Sequence, residues 1–278
     1  MLHTGAEELH PRQEEPVGRL DNKIAIVTGG AAGIGRATAL RMAEEGATVV
    51  IADINGDGGT RVADEVLARG GSALAVQTDI GKVDQVQRLM ERTIDTYGRI
   101  DVLHNNAFRL YAGDRDFTNS SIEDWSGAIE TNLLGHMLCC RFAIPHMIRQ
   151  GTGSIINMAS TVALGAGDQN VAYAVSKAAL LSLTRFVATM HGKSGVRCNT
   201  IVTGFVFTRP EQRIPERADV WFQNQHTPRL GEPDDIASVV VFLASDESRY
   251  VQAATIEVSG GTLAHATTTA QFRQLRHS

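Results

Sequence analysis

The chain has 278 residues, 43% of them hydrophobic and 21% charged, the make-up of a globular protein that can bury a large core. A formal charge of −5, with no run of Lys and Arg, leaves no basic face for nucleic acid or a membrane surface. Three cysteines, the adjacent Cys139 and Cys140 and the distant Cys198, cannot form a disulfide framework, so a reducing, cytoplasmic setting is expected. No apolar run reaches the roughly 18 residues of a membrane span, and the N-terminus lacks a secretion signal.

Residues 1–21 are mostly polar and contain two prolines, which predicts a mobile extension ahead of a fold that starts near Lys23. From there strand-like apolar runs at 24–28, 49–53, 73–77, 102–105, 154–158, 197–201 and 255–258 alternate with helical spacing at 34–45, 59–69, 83–97, 125–149, 171–191 and 233–245. This alternation predicts one α/β domain over 22–264, a doubly wound, seven-stranded parallel sheet with helices on both faces, followed by a tail at 265–278. The two longest helices are apolar on more than one face, so a homo-oligomer built on them is expected.

After the first strand comes Thr28-Gly29-Gly30-Ala31-Ala32-Gly33-Ile34-Gly35, then a helix. Strand, glycine turn and helix start stand in the order that a diphosphate site needs: small residues let the backbone approach, and free amides with the helix dipole receive the charge. Asp53 ends the second strand about 20 residues on, where a ribose diol would lie. A carboxylate there would repel a 2′-phosphate, and Arg36 should point along the helix, so NAD(H) is favoured over NADP(H).

Asp79, after the third strand, can accept from an adenine amino group. Ile54 and Ile80, the chain neighbours of the two carboxylates, join the candidate cofactor set. Asn105, followed by Asn106 and Ala107, has two readings, a turn former or a tie between neighbouring strands; Asn105 and Ala107 are taken as cofactor contacts. Asn132 lies inside a long helix where its poor propensity calls for a reason, and a kink exposing its backbone to a water near Lys177 would supply one.

Ser160 ends the fifth strand, and the next helix opens with Tyr173-Ala174-Val175-Ser176-Lys177. Tyr173 and Lys177 share a helix face one turn apart. An ammonium about 4 Å from a phenol of pKa near 10 would stabilise the phenolate by about 4 kcal/mol, roughly three pKa units as an upper bound. Ser160 can hold the substrate oxygen beside that phenol. His136, His146 and His191 lack ligand spacing, so no metal is expected, and Ser160 lacks a nucleophile elbow.

These motifs, Thr28-Gly-x-x-x-Gly33-Ile34-Gly35, Asn105-Asn106-Ala107, Asn132, Ser160 and Tyr173-x-x-x-Lys177, resemble those of the short-chain dehydrogenase/reductase family over residues 22–263. The resemblance implies a Rossmann-like domain, usually a homotetramer, with Asn132, Ser160, Tyr173 and Lys177 as catalytic tetrad. It also implies that Tyr173 and Lys177 touch the nicotinamide ribose, that Ile34 and Asp79 contact the cofactor, and that Val206 and Thr208 hold its carboxamide and diphosphate. Four positions depart from the family pattern: Phe108 for Gly, Thr203 for Pro before Gly204, Ala253 for Gly, and Ser259 for Asp before Gly260-Gly261.

The segment 205–229 reads as a mobile lid over the substrate. Phe108, Leu110, Tyr111, Val162, Leu164, Phe205, Phe207, Trp221 and Phe222 should surround the reacting carbon, which points to an apolar, ring-containing alcohol or ketone. Arg109, Arg115 and Arg209 offer another reading, an acyl-thioester substrate of 3-oxoacyl reductase type. A third is a dinucleotide-binding sensor without catalysis.

Overall fold

The computed structural model describes residues 18–208 and 215–264. The tail 265–278, most of the N-terminal extension, Arg209 and the middle of the 205–229 segment therefore lie outside the described residues. Strands β1 (Ile24–Thr28), β2 (Thr48–Asp53), β3 (Ser72–Gln77), β4 (Val102–Asn105), β5 (Gly153–Ser160), β6 (Val196–Thr203) and β7 (Thr255–Val258) form one all-parallel sheet in the order 3-2-1-4-5-6-7. The order reverses between β1 and β4, and the crevice outside their carboxyl ends is where open sheets of this kind take ligands.

Helices α1 (Gly33–Glu44), α2 (Gly56–Ala68), α3 (Val83–Tyr97), α4 (Ile122–Ile129), α5 (Gly135–Gln150), α6 (Val171–His191), α7 (Pro215–Gln223) and α8 (Pro233–Ala244) complete the fold. All five residues of β1 are buried, which a strand reaches only with both sheet faces covered. On one face Ala39 and Met42 of α1, Val62 of α2 and Ile236 and Val240 of α8 form a core with Val27 and Val49. On the other, Leu89 of α3, Leu138 and Met147 of α5 and Val187 of α6 pack with Ile26, Leu103 and Ile155.

Three boundaries differ from expectation, each for a local reason. The fold starts before Lys23: Leu20 is fully buried and Arg19 pairs with Glu45 at 2.5 Å, so residues 18–21 do not belong to an extension. Helix α2 begins at Gly56, three residues early, because the Asn55 side chain caps it by accepting from the Gly58 amide at 3.0 Å, a signal hidden behind three glycines. The helix expected over 125–149 starts with a capping box between Ser121 and Asp124 and is broken by a π turn at Glu130–Leu134. The chain also does hold a stretch long and apolar enough to span a bilayer, Val171–Ser194, but α6 within it lies along β5 and β6 and carries the buried Lys177.

Ala253, where a glycine was expected, has φ +56°, the left-handed region that costs an L-residue about 1–2 kcal/mol. Its amide bonds the Cys198 carbonyl at 3.0 Å, and the adjacent Ala254 amide bonds Asn199 Oδ1 at 2.9 Å. Those bonds, which hold the approach to β7 against β6, oppose the strain.

Candidate active site

The glycine turn sits at the carboxyl end of β1, wedged against the end of β4. Gly29 has φ +64°, and a Cβ on it would lie 2.8 Å from the Ala107 Cα. A Cβ on Gly35 would collide with the Gly29 carbonyl, so α1 starts directly on the turn. Ala32 at its N-cap supplies no side-chain cap and the first turn has no acidic residue, which leaves uncapped amides and a positive helix end. Gly33, with φ +53°, lies against Thr208, and Ile34 packs at the edge of the core. Val206 pairs with Gly231 and, with Phe205, Thr227 and Ile236, lines a cavity of about 390 Å³.

Asp53 stands beside this turn. One carboxylate oxygen accepts from the Ala31 amide at 2.9 Å and the other from the Asn55 amide at 2.9 Å. Arg36 does not simply follow the helix; it is drawn to Glu65 of α2 at 2.6 Å. Ile54 is exposed, and Asp79 accepts from the Gly81 amide at 2.9 Å. A small-residue cradle, an uncapped helix start and a carboxylate at the neighbouring strand end fit a dinucleotide.

Two members of the expected cofactor set send their side chains away from this edge. Ile80 is buried in the core against Gly135, because the residue after Asp79 points into the α3–α5 layer. The Asn105 side chain is fully buried and donates to Asn157 Oδ1 at 2.9 Å and to Cys140 Sγ at 3.4 Å. Of its two readings, the tie between strands is the one observed, made through side chains.

The edge-facing partner is Asn106, which sequence reasoning passed over. Its side chain donates to the carbonyls of Thr28 and Gly29 at 3.0 and 3.1 Å, and its amide bonds Thr28 Oγ1, stitching the glycine turn to β4. Ala107 is fixed from both sides, its amide on Thr28 Oγ1 at 3.1 Å and its carbonyl accepting from His136 Nε2 at 2.8 Å. Asn157 was missed too, although an Asn inside the apolar run of β5 is a visible anomaly. It donates to Thr184 Oγ1 at 2.9 Å, and Thr200 Oγ1 donates to the same atom at 2.7 Å, so a polar chain runs from β4 to α6.

Asn132 does sit at a kink, inside the π turn, and there its side chain grips the loop after β4. Its Oδ1 accepts from the Arg109 amide at 2.7 Å and its Nδ2 donates to the Arg109 carbonyl at 2.9 Å. The loop also places the Phe108 ring 6.1 Å from that of Tyr173, and Lys177 Nζ lies 5.6 Å from the Phe108 ring centroid and 5.8 Å from the Tyr173 one. Ser160 stands close enough to the Tyr173 phenol to favour its charged form. Phe108 thus lies over the Tyr173–Lys177 pair, and at 55% exposed it is open to a ligand.

The electrostatics reverse the expectation from spacing. Burial pushes the Tyr173 phenol above its ordinary range, with only the nearby Ser160 hydroxyl pulling it down. Lys177, fully enclosed and donating to the Met158 carbonyl at 2.8 Å, is itself pushed down to about 7. Desolvation of both groups outweighs the attraction that a surface-like dielectric suggested.

Stability follows with a definite sign. In the unfolded chain Lys177 titrates near 10.4. Below pH 7 both states hold the proton and the burial penalty is fully present; between 7 and 10 only the unfolded chain holds it, so the penalty is released as pH rises. Lys177→Met is therefore expected to abolish turnover yet stabilise the fold at pH 6 by roughly 2–4 kcal/mol, after allowing for the lost bond to Met158. Melting the two proteins in parallel checks this, and a gain that does not shrink toward pH 10 would contradict it.

Among the described residues no three His, Cys, Asp or Glu side chains come together as a metal site. His136 is buried against Ala107, and His146 accepts from Arg149 at 2.7 Å. His104, not singled out from sequence, is fully buried in β4, where desolvation pushes it down to about 3.

The sequence model of the family described as "Enoyl-(Acyl carrier protein) reductase" matches residues 29–262. The chain is 39% identical to (2S)-[(R)-hydroxy(phenyl)methyl]succinyl-CoA dehydrogenase subunit BbsD of Thauera aromatica, over 87% of this chain and 97% of that one. It is 35% identical to the 7alpha-hydroxysteroid dehydrogenase of Bacteroides fragilis, over 89% of this chain and 96% of that one. Among solved structures, levodione reductase superposes with a TM-score of 0.84 at 29% identity, covering 88% of this chain and 100% of the other.

Proposed function

The chain belongs to the short-chain dehydrogenase/reductase family, and on that premise we propose that it is an NAD(H)-dependent oxidoreductase interconverting a secondary alcohol and a ketone. The observation that carries this reading is the gathering of Ser160, Tyr173 and Lys177 beside Phe108, on the loop that Asn106 and Ala107 stitch to the glycine turn. A bound nicotinamide would supply the hydride acceptor for the alcohol carbon, or the hydride donor for the ketone.

Tyr173 accepts the hydroxyl proton in oxidation and returns it in reduction. Ser160 donates to the same substrate oxygen and keeps it in reach of the phenol. Lys177 favours the phenolate whenever it is charged, and Asn132 holds the loop bearing Phe108 by gripping the Arg109 backbone. Gly29, Gly33, Ile34, Ala107, Val206 and Thr208 would hold the diphosphate and nicotinamide ends, Asp53 the ribose diol and Asp79 the adenine. Exposed Phe186 and Met190 on α6 favour a homotetramer built on that helix.

An apolar, ring-containing substrate is favoured by the aromatic wall after β6, where Phe205 stacks on Trp221 at 4.8 Å and 7°, and Phe207 meets Phe205 edge-on at 5.1 Å. The thioester reading draws support from the succinyl-CoA named for the Thauera relative, although Arg109 is turned onto the Tyr111 ring, 5.0 Å from its centroid. Steady-state rates with NAD+ on cyclic and aryl secondary alcohols, set against NADH with acetoacetyl thioesters, decide between them. Faster alcohol turnover is expected. A clear thioester preference would end the apolar reading, and turnover of neither class would leave a dinucleotide-binding protein without catalysis.

A further inference from the structure

A helix leaves its first amides without partners, and α6 cannot cap itself: Asn170 at its N-cap has φ +60° and ψ 45°, and its side chain makes no capping bond. The amides are taken instead by another loop. Val171 donates to the Arg115 carbonyl at 3.3 Å, Ala172 to Asp114 Oδ1 at 3.0 Å, and Tyr173 to Asp114 Oδ2 at 2.8 Å. Asp114 is 4% exposed and is held in turn by its own amide on the Tyr111 carbonyl at 3.0 Å and by Ser120 Oγ donating to Oδ1 at 3.3 Å. Resting on the proposed oxidoreductase reading, the geometry assigns Asp114 as a positioning residue that sets the height and tilt of Tyr173 by gripping the backbone amide of that residue.

The assignment has a functional side because of what else the loop carries. Between β4 and α4 the same segment bears Phe108, beside the Tyr173 ring, and Arg109, held by Asn132. It also faces the 168–170 turn that leads into α6 across a cavity of about 690 Å³ lined by Leu110, Tyr111, Asp114, Arg115, Gln169 and Asn170. A substrate portion in that cavity touches both segments that Asp114 ties, so its fit is transmitted to the phenol through two hydrogen bonds. A carboxylate at this point also complements the positive end of a 21-residue helix.

The test uses the full-length protein with Asp114→Asn, which keeps size and one acceptor, and Ser120→Ala, which loosens the carboxylate and also frees the Arg115 amide and the Asp116 carbonyl that the same hydroxyl meets at 2.8 and 2.9 Å. Asp114→Asn is expected to lower kcat for alcohol oxidation roughly 10- to 100-fold, with the KM for NAD+ within about twofold. The primary deuterium isotope effect on kcat should rise, and amide hydrogen exchange should speed up in the peptide spanning 171–175 and not in α1. Ser120→Ala should show the same pattern more weakly, and it alone decides if Asp114→Asn does not fold. Unchanged exchange and kcat, or equal losses of turnover, NAD+ affinity and melting temperature, would overturn the assignment. If the unaltered protein oxidises no alcohol, the proposed function fails while the exchange arm still judges Asp114.

Discussion

Replacing Tyr173 with Phe is expected to lower kcat by about 100- to 10,000-fold, the usual worth of a positioned proton-transfer group, with NAD+ affinity changed only a few-fold. Phe keeps the ring that lies 6.1 Å from Phe108 and the backbone amide bonded to Asp114, so the fold loses nothing but the hydroxyl. Calorimetric titration of NAD+ alongside steady-state oxidation separates the two effects. Turnover that survives unchanged would remove the phenol from the chemistry, whatever its position.

The size of that effect rests on how the protein makes a usable base of this phenol. Spacing alone suggested that an ammonium one turn away does it, but Lys177 is buried and its own charge is disfavoured. Sequence periodicity places both residues on one face; it carries no information about how much water remains there, and desolvation decides the sign of both shifts. The alkaline limb of alcohol oxidation therefore reports the pair and not Tyr173 alone.

The same division runs through the fold. The seven strands, the glycine turn and the kink at Asn132 were legible because each rests on local chemistry: strands buried on both faces, glycine at positive φ, and an Asn where a helix prefers other residues. The inward direction of the Asn105 and Ile80 side chains was not legible, because a strand end and its following turn do not declare which way a side chain leaves. Asp114 gave no local sign at all. Its partners, Ala172 and Tyr173, lie 58 and 59 residues downstream, and only the folded sheet brings that loop to the start of α6.

The second large effect is expected in cofactor choice, on replacing Asp53. The carboxylate is fixed by the amides of Ala31 and Asn55, at the end of β2 where the diol of a bound adenosine would meet it. A 2′-phosphate about 4 Å from it would be repelled by about 4 kcal/mol at an effective dielectric of 20, close to a thousandfold in preference. Arg36, the cation nearest in sequence to the glycine turn, is held by Glu65, which also takes Arg69 at 2.6 Å. Asp53→Asn is expected to cut the preference for NAD+ over NADP+, measured as the ratio of kcat/KM values, by at least 100-fold. Adding Glu65→Gln should favour NADP+ further by loosening Arg36 toward the phosphate. An unchanged ratio in Asp53→Asn would mean that specificity is set elsewhere, and a loss of both cofactors together would show that the carboxylate serves mainly to brace the glycine turn through Ala31.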